Sequence, residues 1–123
     1  MRRFLLTLPV AALAACQTAA PPAATVSFDE AHALNTRLTE TVKTCWFAGD
    51  PAFAAYIYTP EINASQPRIL IVSKKDPHGR PVLVVEPKGA ATADIYGPLL
   101  AEPAGTRIRA DLDRWLKGGA GCG

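Results

Sequence analysis

The chain has 123 residues, and 13 basic side chains against 11 acidic ones leave a formal net charge of +2 at pH 7. That length holds one hydrophobic core and excludes a second, while a 49% hydrophobic composition fits a folded globular domain. Charge so close to balance, with no basic run interleaved with aromatics, excludes the usual footing for a nucleic-acid partner.

In chain order, Arg2 and Arg3 form a basic head. Residues 4–13 follow as an apolar run broken by Thr7 and Pro9, too short to span a bilayer as a stable helix. The run ends in Leu13-Ala14-Ala15-Cys16. This tetrapeptide resembles the lipobox of bacterial lipoprotein precursors. The resemblance implies a signal peptide at residues 1–15 and a mature chain that begins at Cys16, with a diacylglyceryl group on its thiol. A secretory peptide in which Cys16 stands by chance is the plainer alternative. Once Arg2 and Arg3 are removed, 11 basic residues face 11 acidic ones. Gln17 follows the cysteine, where aspartate marks inner-membrane retention in enteric bacteria, so the resemblance implies an outer-membrane anchor facing the periplasm. Residues 16–26 are uncharged and rich in Ala and Pro, and read as a tether. In an extended polyproline conformation, at about 3.1 Å per residue, it reaches roughly 30 Å from the membrane.

Residues 27–123 form the single expected domain. Ser27-Phe28-Asp29-Glu30 has the form of a capping box, with its acids in the first turn where the helix dipole favours them. Leu34, Leu38, Val42, Cys45 and Trp46 then recur at three- and four-residue steps, which predicts an amphipathic helix over 28–47 that stops at Gly49-Asp50-Pro51. Phe53, Ala55 and Ile57 alternate with Ala54, Tyr56 and Tyr58, which predicts a strand with an aromatic outer face. Residues 59–66 read as a loop. The β-branched runs at 68–72 and 82–85 predict two central strands joined by a charged hairpin connection over 73–80, and a weaker strand is expected at 91–96. Ile108, Leu112, Trp115 and Leu116 lie on one face of a final helix, with Thr106 as its N-cap and Gly118 as its stop. The expected fold is α+β in two layers: an N-terminal helix, a three- to four-stranded mainly antiparallel sheet and a C-terminal helix, with both helices on one sheet face.

With Cys16 taken as the acyl carrier, Cys45 and Cys122 remain. In an oxidising compartment an even pair reads as one disulfide. It closes a loop of about 78 residues and contributes roughly 4 kcal/mol in the chain-entropy model. A metal or redox site is the rival, but no CxxC or Cys/His spacing supports one. Neither a cofactor nor a metal is expected.

Catalytic chemistry finds no constellation. His32 lies in the first helix with Asp29 three residues before it, and His78 lies in a tight turn; solvated positions account for both. No nucleophile elbow surrounds Ser27, Ser65 or Ser73, and Asp111 and Asp113 point different ways on the last helix. The densest polar cluster is the hairpin connection with Lys74, Lys75, Asp76, His78 and Arg80. It suits lipid phosphates or the acidic surface of an envelope partner, or simply a solvated hairpin end. Trp46 and Trp115 read as core anchors. Tyr56, Tyr58 and Tyr96 are expected to line an exposed aromatic sheet face.

A helix ending in Cys45-Trp46, a strand, and a hairpin whose turn runs Asp76-Pro77-His78-Gly79 together look like the C-terminal domains of TonB and TolA. The likeness covers about residues 34–86. It bears on fold alone, since fold does not carry function, and the final helix departs from that pattern. The leading expectation is a non-catalytic binding or accessory component, held at the membrane by its lipid. A lipid or small-ligand carrier using the tyrosine face is the alternative, and an enzyme comes third.

Overall fold

The computed structural model describes residues 23–123. The lipobox, the acylation position Cys16 and the tether as far as residue 22 lie outside them. Helix α1 spans Ala23–Cys45, so the expected capping box does not start it. Residues 23–26, expected as the end of the tether, are its first turn, and Ser27 lies inside the helix. Alanines that propagate a helix override a local capping preference. At the other end α1 stops two residues early, and the amides of Trp46 and Phe47 close its last turn on the Val42 carbonyl at 2.9 and 3.3 Å.

Strands β1 (Tyr56–Glu61), β2 (Arg68–Ser73), β3 (Leu83–Pro87) and β4 (Ala93–Tyr96) form a sheet in the order β1-β2-β3-β4. Every neighbouring pair is antiparallel. Short 3-10 turns at Pro51–Phe53 and Pro98–Ala101 lead into β1 and out of β4. Helix α2 (Ala104–Leu116) completes an α+β domain. Strand β1 runs to Glu61, beyond the expected start of the loop; its Pro60 is tolerated because β1 is an edge strand.

Ile69 and Ile71 of β2 and Leu83 and Val85 of β3 meet Leu34, Leu38, Val42 and Trp46 of α1 and Ile108, Leu112 and Trp115 of α2 in one core. Both helices therefore cover the same face of the sheet. Both tryptophans are fully buried, as core anchors should be. The start of α2 differs from expectation: Pro103 stands at the N-cap and Thr106 is within the helix. The helix approaches the preceding 3-10 turn so closely that a Cβ on Gly105 would overlap the Leu100 carbonyl oxygen. At its end, Gly118 adopts φ +97°. Its amide bonds the Trp115 carbonyl, and the Gly119 amide reaches back to Arg114, both at 3.0 Å. This is the paired arrangement of a Schellman stop, and it turns the tail back along the helix. There Cys122 meets Cys45, with sulfurs 2.00 Å and Cα atoms 5.0 Å apart, the pairing expected from the cysteine count.

Candidate binding pocket

The segment after α1 builds a recess. Asp50 caps the 3-10 turn: its Oδ1 accepts the Ala52 amide at 2.9 Å, and its Oδ2 pairs with the Arg107 guanidinium of α2. The amide first, then the guanidinium, hold this carboxyl below the ordinary carboxylate range. The turn drives Phe53 into the core, where its ring stacks on Trp46 at 4.9 Å with 8° between planes. Phe47 leans on Phe53 at 5.6 Å and on Tyr58 at 4.9 Å. Arg107 lies over the middle of this aromatic row, 5.6 Å from the Phe53 centroid.

Between these rings, the start of β1 and the end of β2 lies a pocket of about 260 Å³. Trp46 and Phe53 form its floor, Phe47 and Tyr56 its half-buried walls, and Asp50 and Lys74 its polar rim. Tyr56 and Lys74 are brought together by strand pairing. Tyr56 stands opposite Ser73, and the Lys74 amide donates to the Ala55 carbonyl at 2.9 Å.

The sequence-level candidates divide. Lys74, Lys75 and Arg80 are all exposed on the β2–β3 connection, but Lys74 borders the pocket and the other two do not line it. The turn at the tip is formed by Asp76 and Gly79, the Gly79 amide donating to the Asp76 carbonyl at 3.0 Å. The aromatic sheet face must be corrected. Tyr56 and Tyr58 pack against the core on the helix-covered side, with Tyr58 opposite the buried Ile71. Tyr96 stands opposite Val84, one residue out of phase with the core residues Leu83 and Val85, and projects from the other side. The predicted alternation failed because Pro51–Phe53 is a 3-10 turn, so the strand starts later and in the opposite phase. Of the histidines, His78 is exposed in its turn, while His32 Nε2 lies 3.2 Å from the Ala64 carbonyl oxygen.

One charged residue of structural weight was missed. Asp111 is 2% exposed; it accepts the Trp46 indole N–H at 2.8 Å and Arg114 Nη2 at 2.9 Å, with Arg107 Nε at 3.5 Å. Arg114 and the Trp115 indole both donate to the Gly121 carbonyl at 2.8 Å, which fixes the tail that carries Cys122. Arginines four residues before and three after an aspartate on one helix were the available signal. Through Arg107 this network also holds the pocket rim at Asp50. Among the described residues no cluster of three or more metal-ligating side chains occurs. Comparison with protein-family models, curated proteins and solved structures finds no match to this chain.

Proposed function

We propose that this chain is a small cell-envelope lipoprotein that acts by binding, with the pocket beside the end of α1 as its binding element. The observation that carries this reading is the meeting of Tyr56 and Lys74, from two separate polar and aromatic stretches, over a floor of Trp46 and Phe53. A concave recess that combines ring surface with a few placed polar groups is the ordinary form of a ligand site. Both carboxylate oxygens of Asp50 are engaged, which suits an orienting rim rather than proton transfer. The lipobox-like Leu13-Ala14-Ala15-Cys16 supports a lipid anchor, and Gln17 supports the outer membrane, with the domain facing the periplasm. Anchoring concentrates the domain on one surface, so weak contacts there become effective.

Two experiments in cells test the two parts of this reading. Cys16→Ala is expected to release the protein from the membrane fraction while leaving the domain folded; a variant that still fractionates wholly with membranes overturns the anchor. A photo-crosslinking side chain at Pro51, which lines the pocket and is exposed, is expected to give one defined adduct. The same group at the exposed Thr92 beyond β3 is expected to give no such adduct. Equal labelling from both positions overturns the pocket as the binding element.

A further inference from the structure

We infer that the ligand of this pocket is a small, free organic anion: a monocarboxylate carried on a flat or short apolar body. The inference rests on the binding reading above and names the chemical class that the site selects. Size comes first. About 260 Å³ lies just below the roughly 300–1,000 Å³ of sites for drug-sized ligands. It admits one ring or a short acyl chain and leaves no room for a two-chain lipid.

The walls fix the body of the ligand. The rings of Phe47 and Tyr56 are half-buried while Phe53 and Trp46 beneath them are fully covered, so the ring surface open to a flat group is that of Phe47 and Tyr56.

Charge fixes the head. Asp50 and Arg107 neutralise each other, and the second Asp50 oxygen is held by the Ala52 amide. An incoming cation would have to displace those partners. Lys74 lines the recess and makes no ion pair among the described residues, so the three N–H donors of its ammonium are uncommitted to any carboxylate there. Past it, Lys75 and Arg80 outweigh Asp76 along the same connection, so the potential at the mouth is positive. A carboxylate seated there gains a charge-assisted hydrogen bond from Lys74, beside the ring of Tyr56 on the wall.

The test is ligand-observed ¹⁹F NMR on the purified full chain with 3-(4-fluorophenyl)propionate. The alcohol and amine of the same skeleton are the neutral and cationic comparisons. The acid is expected to bind with a Kd on the order of 0.1–1 mM, and the alcohol about tenfold more weakly. Lys74→Met is expected to weaken the acid about tenfold and leave the alcohol unchanged. Lys75→Met, outside the pocket on the same connection, is expected to stay within about twofold. Ala54→Leu, which places a larger side chain at an exposed wall position, is expected to abolish binding of acid and alcohol alike. An alcohol or amine that binds at least as tightly as the acid, and is blocked by Ala54→Leu, overturns the anion and keeps the binding pocket. No binding by any of the three probes up to about 5 mM overturns both. Acid binding that survives both Lys74→Met and Ala54→Leu lies outside the pocket and overturns the inference.

Discussion

Ile71 and Leu70 are neighbours in β2, yet they belong to surfaces built on different rules. On the helix-covered side, Ile69, Ile71, Leu83 and Val85 are fully buried, and the buried Asp111 ties Trp46, Arg107 and Arg114 together beside them. On the other side the sheet carries bands. An apolar row runs Leu70–Val84–Tyr96 across three strands, with Ile57 opposite Val72 beside it. Beyond it lies an ionic band, in which Arg68 grips Glu61 through Nη2 at 2.9 Å and Nε at 3.3 Å. Lys88 reaches Glu86 at 3.2 Å and Asp94 at 3.8 Å. The Glu61 carboxylate raises the Arg68 pKa, chiefly through that hydrogen bond. Ile57 and Tyr96 remain 38% and 47% exposed at the two edges. Shape decides what fits on the first side, and solvent contact still decides on the second.

The largest effects should therefore fall on the covered side. Trp115→Ala removes a fully buried ring, an indole bond to the tail and a neighbour 5.1 Å from Trp46. It is expected to cost about 3–5 kcal/mol in denaturant unfolding. Replacing Cys45 and Cys122 together with Ser is expected to cost about 2–4 kcal/mol, with neither Cys45 nor Cys122 of the wild type reacting as a free thiol when denatured without reductant. The comparison is sharpest within one strand: Ile71→Ala is expected to cost about 2–4 kcal/mol, and Leu70→Ala, half-buried on the other side, about 1 kcal/mol. Equal losses would break the distinction between the faces. Arg68→Met should cost no more than about 1 kcal/mol, and its effect should shrink in salt, because the pair is partly exposed.

The smallest expected effect concerns pH. The folded state lowers the Asp50 pKa, so the stability it contributes is present above the unfolded value, near 3.8, and is lost as pH falls through the lower folded value. The stability difference between wild type and Asp50→Asn should be constant at neutral pH and close below about pH 4. A difference that instead changes between pH 6 and 8 would assign the rim to another group.

Much of the fold was legible, for physical reasons that also explain where reading failed. The runs at 68–72 and 82–85 are almost wholly apolar because Val72 and Val84 are 6% exposed even on the helix-free side, so no alternation was needed to mark central strands. The stripes of α1 and α2 were equally plain, and the cysteine pair followed from the even number left once Cys16 was set aside. The phase of β1 was not legible from alternation alone. Asp50 followed by Pro51 was the readable sign of a capped turn, and it moves the strand's start past Ala54 and Ala55. The pocket was illegible in a stronger sense. Its rim pairs residue 50 with residue 74, and no local rule joins them before β1 and β2 pair.

The disulfide also sets a path for force. Cys45 is the last residue of α1, and its bond to Cys122 encloses all four strands and α2 within the intervening loop. Tension applied between the stretch preceding α1 and the residue following Cys122 runs along one helix and across two sulfurs. The sheet, the pocket and the second helix stand outside that load path. A domain pulled from both sides would lengthen by no more than the unravelling of α1 while the sulfur bridge holds, and the rest would feel that pull as the loss of Leu34, Leu38 and Val42 from the shared core.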